Sequence, residues 1–446
     1  MFRVCARTRK TPLFTTGETM RYYQKLTLLF CLMWGFVGIQ RIVIAVIMPK
    51  IEEDLQLSYS QVAWLAAITG LVWAFGTLLF AALGDRFGRR PIIAFCTIFA
   101  SVFSWITGLT HTFTQMLVVR GGLGLFEGGP FGPAIGTLSE EAPEHRRAMN
   151  AGLVTGAFML IGVCIGSLAA GWLLEKFGDW RKVFYVVSIP GIIVGILIFV
   201  VMKEAPSVAK ALQQRKNREL VQQDDKGKIR LIDALKYKNV LLSAINSIPV
   251  MGWLYVYTTF ASLFLVNVHQ FTIMQGGYII AASGLGGFLG EFIMGAISDV
   301  IGRKKALIIS ALLCAVFGIL VAMMPVGTST PVFCTFFFLF GLFGAGMYPM
   351  YVGTIPAESV PPQIAGMAVA IPTATGETLG AAGMPLIAGW LADMPSLGLH
   401  APMWMAALAG IAIAIISIFY IETAPRVVAK MKVKPTPEDH LLKMFR

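Results

Sequence analysis

The chain reads as an all-α integral membrane protein, with twelve transmembrane helices in two pseudo-symmetric six-helix bundles. Three observations predict this. Of 446 residues, 56% are hydrophobic and only 13% charged, which is too apolar for a soluble multi-domain enzyme. Twelve segments are long enough to cross a hydrocarbon core, which needs about 20 mostly apolar residues. The second half of the chain repeats signatures of the first.

The spans, numbered helices 1 to 12, fall near 26–48, 61–83, 91–110, 113–139, 147–174, 182–202, 239–266, 275–298, 305–325, 331–356, 364–392 and 402–421. Alternating strand patterns of about 10 residues are absent, so backbone groups in lipid must be satisfied within helices. This divides the chain into an N-terminal tail (1–25), a first bundle (26–202), a central loop (203–238), a second bundle (239–421) and a C-terminal tail (422–446). The central loop holds QQRKNRELVQQDDKGK and is expected to be a polar connector, part of it an amphipathic surface helix. The first 20 residues are basic but have no apolar h-region, so they do not read as a secretory signal. Met20 before RYYQKLTLLF would be an ordinary start, and the residues before it read as a disordered tail or an over-extended gene start.

A net charge of +12 invites a nucleic-acid partner, but its placement argues otherwise. With both termini in the cytoplasm, 30 of the 36 Lys and Arg fall in tails and inner loops; the others are Lys50, Lys176, Arg181 and Lys182 outside, and Arg41 and Arg120 within the membrane. That is the positive-inside bias, and it accounts for the basicity without nucleic acid. The six cysteines show no CxxC or His-paired spacing, and Cys31, Cys96, Cys164, Cys314 and Cys334 read as small buried hydrophobes in apolar helices. Neither a metal site nor a disulfide framework follows.

The repeat is visible in two registers. GDRFGRRP (Gly84–Pro91) lies between helices 2 and 3, and SDVIGRKKA (Ser298–Ala306) between helices 8 and 9. A shift of 214 aligns Asp85, Gly88, Arg89 and Arg90 with Asp299, Gly302, Arg303 and Lys304. A shift of 218 aligns Glu140 with Glu358, Pro143 with Pro361, Met149 with Met367, and Gly171–Leu173 with Gly389–Leu391. Such a duplication is expected of a transporter built from parallel repeats about an axis along the membrane normal. On these motifs the chain resembles the major facilitator superfamily over nearly its whole length. The family loop pattern Gly-x-x-x-Asp-Arg-x-Gly-Arg-Arg is met except that Ala81 stands in the first glycine's place; the second copy keeps Gly295. The resemblance implies a latch between the cytoplasmic ends of the two halves in the outward-open state. It would be formed by Asp85, Arg89, Arg90, Asp299 and Arg303, with Glu140 and Glu358 as candidate partners. The alternative is plain positive-inside anchoring.

Few ionisable groups remain at membrane depth: Arg41, Arg120, Glu127, Glu291 and Glu377. An arginine at the centre of a transmembrane helix costs about 2.5–3.5 kcal/mol on insertion scales, so each of these groups needs a named partner or purpose. Helix 1 ends near Pro49 and helix 4 starts near Thr114, which places Arg41 and Arg120 at one depth, roughly 9–12 Å below the outer end. Two guanidinium groups at one depth repel unless an anion lies between them. Glu127 follows Arg120 by seven residues, two turns deeper on the same face and about 10 Å away. A carboxylate there can exchange a proton in response to a bound anion, the chemistry of proton-coupled symport. The alternative is a permanent Arg–Glu pair joining helices 1 and 4.

The helix 4 stretch VRGGLGLFEGGPFGP also resembles the anion:cation symporter branch of that superfamily, with Arg120, Gly124, Glu127 and Gly128 at the matching spacings and Pro133 one residue beyond its place. The resemblance implies that Arg41 and Arg120 coordinate a carboxylate, phosphate or sulfonate and that Glu127 carries the proton. Helix 1 departs from the branch: Gln40 stands where an acid usually precedes the arginine. Glu377, in the glycine-rich TATGETLGAAGMP of helix 11, is then a relocated proton site, a ligand for a donor or cationic group of the substrate, or a neutral acid within the helix packing. Glu291 reads as a gate or packing contact. Among the aromatics of helices 7 and 10, Trp253, Tyr255, Tyr257, Tyr348 and Tyr351 are candidates to shape the substrate, and Tyr255 is taken into the binding set.

Glycine runs such as GLGGFLG follow no strand and lack the Gly-Lys-Ser/Thr of a phosphate cradle, so they read as helix packing through small residues. No nucleophile–base constellation or ATP site is present in the sequence, so a non-enzymatic transporter without cofactors, driven by the proton gradient, is expected. The leading expectation is uptake of a small organic anion, such as a sugar acid or aromatic acid, by a monomer in the inner membrane of a bacterium. Proton-coupled efflux is the first alternative, although GAFMLIGVCIGSLAAG in helix 5 lacks the Gly-Pro pair of efflux members. A non-transporting receptor or scaffold is the second.

Overall fold

The computed structural model describes residues 20–216, 234–361 and 364–433. The expected tails before residue 20 and after 433, and most of the expected connector helix, lie outside the described residues; its beginning forms a helix over Pro206–Lys216.

Among the described residues no strand occurs, and ten helices are long and apolar enough to cross a membrane. They match the expected spans, from Tyr22–Val46 for helix 1 to His400–Ser417 for helix 12. The other two expected spans are helical but irregular. Helix 4 runs Phe113–Gly128, turns at Gly129–Pro130 and resumes at Phe131–Glu141. Helix 11 runs Ala365–Thr375, widens into a π segment at Gly376–Gly383, and continues as Met384–Ala392. Helix 1 stops at Val46, and Pro49 lies in the first turn of the short helix Met48–Leu55 that follows; proline lacks the N–H an interior position needs, but suits a first turn.

The repeat reaches into local structure. The π segment Phe158–Ile165 of helix 5 maps onto Gly376–Gly383 of helix 11 at the 218 shift. Helices 2 and 8 open on capping boxes, Ser58 with Gln61 and Thr272 with Gln275, at the 214 shift. The glycine-rich run of helix 8 is a packing surface, as its context implied: a Cβ on Gly286 or Gly290 would collide with backbone carbonyls of Phe338 and Leu342 on helix 10.

The end carrying the two Gly-Arg loops is termed the basic end. The halves are stitched together at the opposite end. Ser262 Oγ donates to Val46 O at 2.5 Å, and Asn267 Nδ2 to Glu52 Oε2 at 3.4 Å. The backbone N–H groups of Tyr59 and Ser60, at the start of helix 2, donate to the two Asp393 carboxylate oxygens at 2.8 and 3.0 Å.

Candidate functional site

At the basic end each Gly-Arg loop is built around a capped helix. Gly88 and Gly302 have φ of +109° and +104°, a region that suits only glycine. A Cβ at either position would also strike a carboxylate, that of Glu204 or Glu422. Those two carboxylates accept the first N–H groups of helices 3 and 9: Glu204 takes Arg89 N and Arg90 N at 2.7 and 3.2 Å, and Glu422 takes Arg303 N and Lys304 N at 2.8 and 3.2 Å. An anion at a helix N-terminus satisfies free donors and complements the helix dipole.

Arg89 and Arg303 of the candidate latch each pair within their own half. Arg89 Nη1 meets Glu140 at 2.8 Å, and Arg303 Nη2 meets Glu358 at 3.1 Å while its Nη1 meets Asp299 at 2.6 Å. Ser207 Oγ and Thr423 Oγ1 donate to the same two glutamates. Arg90 donates to Phe199 O at 2.8 Å and lies over the Phe199 ring, tying helix 3 to helix 6. Asp85 is exposed in the last turn of helix 2.

At the centre, Arg41 finds a partner that local spacing did not indicate. Its Nη2 lies 3.4 Å from Glu377 Oε2, with both side chains 7% exposed, and its guanidinium sits 4.4 Å from the centroid of the Tyr255 ring. The ion pair joins helix 1 of the first half to helix 11 of the second. The expected alternative, a permanent pair holding helices 1 and 4, is not what forms. Arg120 Nη1 instead donates to Gln40 O at 3.2 Å, and its Nε has no partner among the described residues. Glu127 is fully buried, and neither carboxylate oxygen has a hydrogen-bond partner there.

Gln40 Nε2 donates to Ser101 Oγ at 2.7 Å, and both groups press on the bare face of Gly191. The glutamine side chain therefore serves the junction of helices 1, 3 and 6 rather than a cavity.

Two cavities meet at Arg41 and Tyr255. One, of about 30 Å³, lies toward the opposite end and has Arg41 and Arg120 on its walls; the two expected anion ligands do share one cavity. The other, of about 50 Å³, lies toward the basic end and is lined by Arg41, Trp34, Trp73, Glu291, Tyr348 and Glu377, among others. Glu291, read from the sequence as a gate or packing contact, is thus a wall residue of this cleft. The π segments of helices 5 and 11 supply Phe158, Met159 and Glu377 to it; such bulges turn side chains out of the regular α register and recur at functional sites.

The aromatic candidates divide. Tyr255 and Tyr348 line the cleft. Trp253 and Tyr257 pack on each other and on Phe340, and Tyr257 OH lies 3.3 Å from Ser283 Oγ; they belong to the core of the second half. Tyr351 is buried behind Tyr348, its ring edge-on at 5.7 Å.

Sequence reasoning missed Glu204, Glu422 and Asp393, and it overlooked Trp34 and Trp73. The signal for the first two was available, because Glu204 and Glu422 stand 218 apart in the register that already paired Glu140 with Glu358.

Comparison with known proteins agrees with this architecture. The inner membrane metabolite transport protein YhjE of Escherichia coli is 24% identical over 379 residues, 77% of this chain and 80% of that protein. The cis,cis-muconate transport protein of Acinetobacter baylyi is 26% identical, covering 78% of this chain and 83% of that one. A hexuronate transporter of Bacillus subtilis is 25% identical over 63% and 65% of the two chains. The crystal structure of a D-xylose-proton symporter superposes with a TM-score of 0.71 at 18% identity, covering 91% of this chain and 99% of that one, a likeness of fold. A family model described as the Major Facilitator Superfamily matches residues 29–373 and, in a second overlapping match, 269–444. These matches run through both halves of the repeat, and the chain belongs to the Major Facilitator Superfamily of membrane transporters.

Proposed function

We propose that this transporter takes up a small organic anion, a sugar acid, aromatic acid or similar carboxylate, by proton symport through alternating access. In this reading it works as a monomer in a bacterial inner membrane, with the basic end and both termini in the cytoplasm. The observation that carries the proposal is the Arg41–Glu377 ion pair, which bridges the two halves on the wall of the cleft.

Glu377 holds the place that a substrate carboxylate would take on Arg41. A proton on Glu377 removes its charge and frees the guanidinium, which then takes the anion. Proton and substrate therefore favour each other's binding, the linkage symport requires. When the anion leaves, Glu377 gives up its proton and returns to Arg41, so the empty carrier crosses without an unpaired arginine. Arg120 adds a second positive charge on the far side of Arg41, and the buried Glu127 beneath it, without a hydrogen-bond partner among the described residues, is the second candidate proton carrier. The gradient supplies the driving force without a cofactor. At the basic end, Asp85, Arg89, Arg90, Asp299 and Arg303 exchange partners across the halves when the opposite end opens. Two relatives bear names that refer to organic acids, a muconate and a hexuronate, which supports the substrate class.

The test is uptake of a panel of labelled carboxylates into proteoliposomes, with and without an inward proton gradient. At least one acid should accumulate and leak out again when a protonophore collapses the gradient. Failure to accumulate any acid, or normal transport by both Arg41→Ala and Arg120→Ala, would overturn the reading.

A further inference from the structure

The cleft on the basic-end side of Arg41 carries more negative than positive charge. Among the described residues lining it, Arg41 alone is basic, whereas Glu377 and Glu291 are both acidic. Arg41 answers Glu377. Glu291 makes no hydrogen bond or ion pair among the described residues. A carboxylate on an intramembrane helix without a counter-group is costly, and such residues face a pathway or a partner.

The surroundings of Glu291 are aromatic. Trp34 of helix 1, Trp73 of helix 2 and Tyr348 of helix 10 form walls of the same cleft. Trp73 is 5% exposed, and its indole Nε1–H has no acceptor among the described residues, so a buried donor also awaits a group in this space. Aromatic faces beside a carboxylate recognise alkylammonium groups, through the ring quadrupole and the opposite charge together. The arginine at one end of the cleft recognises a carboxylate.

We infer that the transported carboxylate is a zwitterion, one that also bears an alkylammonium group, with its carboxylate on Arg41 and its ammonium against Glu291 between Trp34, Trp73 and Tyr348. This deepens the organic-anion reading and rests on it. Each glutamate of the cleft is then answered, because the proton neutralises Glu377 and the substrate's ammonium faces Glu291.

The experiment uses the full chain in proteoliposomes and matched pairs of probes. Trimethylammonio-carboxylates with one, two or three methylenes between the charges are each paired with the tert-butyl isostere, in which carbon replaces nitrogen. Shape is held constant and only the positive charge changes. For at least one length, the ammonium member should half-saturate uptake at roughly tenfold lower concentration than its isostere, and Glu291→Gln should bring it to the level of the isostere. The wild-type comparison stands without the variant, and size-exclusion chromatography checks the variant's fold. Uptake of the tert-butyl acids equal to or better than that of their partners overturns the inference and leaves the organic-anion reading standing. A preference that survives Glu291→Gln also overturns it. If neither series nor any other carboxylate of the panel enters, both readings fall.

Discussion

Arg41 and Glu377 stand 336 residues apart in the chain and 3.4 Å apart in space, across the boundary between the two halves. Both are buried, so each holds the other's charge away from an apolar surrounding, and the Tyr255 ring shields the guanidinium from one side. A pair placed there must change whenever the halves rock against each other. It is therefore both a structural bond and a reporter of state.

Removing one member of a buried pair leaves an uncompensated charge and costs about 3–5 kcal/mol, whereas removing both costs much less. Arg41→Gln and Glu377→Gln should each lower the thermal stability of the purified protein, and the double variant should lose less than the sum. The expected coupling is about 1–3 kcal/mol, measured by a double-mutant cycle on unfolding in detergent. Additive losses would mean that the pair does not form in the resting protein.

The two candidate proton carriers are separable by one comparison. Exchange of substrate across a membrane at equal pH needs binding but no net proton transfer, whereas accumulation against a gradient needs both. Whichever of Glu127→Gln and Glu377→Gln keeps exchange but loses accumulation identifies the carrier. Glu127→Gln is expected to do so if Glu377 serves only as the substrate's placeholder. Full accumulation by Glu127→Gln would assign the proton to Glu377, and its pH-independent binding of the acid after Glu377→Gln would then follow.

Much of this arrangement was legible in the sequence because it is local or repeated. The spans follow from apolar length, and the loops Gly84–Pro91 and Ser298–Ala306 carry their chemistry in their own residues. Arg120 and Glu127 could be related because they share one helix. Arg41 and Glu377 could not, since no spacing relates residues on helices 1 and 11; their meeting is set by how the halves pack. The division among the aromatic candidates has a simpler source. Trp253 and Tyr257 are four residues apart and share a helix face, whereas Tyr255, two residues from each, is turned about 200° away. Only Tyr255 could face the cleft while its neighbours filled the core. Gln40 illustrates the converse, because its neighbour Arg41 enters the cavity while it turns to Ser101.

The caps on helices 3 and 9 give a prediction that uses the repeat. Glu204 and Glu422 each accept two backbone N–H groups at a helix start, and a carboxylate so placed is worth about 1 kcal/mol. Glu204→Gln and Glu422→Gln should each lower stability by about that amount. The caps lie in separate halves and share no partner, so the double variant should lose the sum. Thermal unfolding of the three variants checks this, and a strongly non-additive result would show that the two loops communicate in the resting state.

The seal at the opposite end depends on a bond of the same kind, made between the halves instead of within one. Asp393, just after helix 11, accepts the N–H groups of Tyr59 and Ser60 at the start of helix 2. Those amides belong to the first turn of helix 2, which has no intrahelical acceptor for them. Opening this end must separate Asp393 from helix 2 and return both amides to water. The contact is exposed, so its contribution is small, on the order of 1 kcal/mol. Even so, a free-energy change of that size shifts a two-state population about fivefold. Asp393→Ala should therefore raise the fraction of molecules open at this end, seen as longer distances between spin labels on the ends of helices 2 and 11 beside Asp393. Asp393→Asn keeps one acceptor without the charge and should fall between Asp393→Ala and wild type. Label distances unchanged in Asp393→Ala would mean that Ser262 with Val46 and Asn267 with Glu52 hold the seal without it.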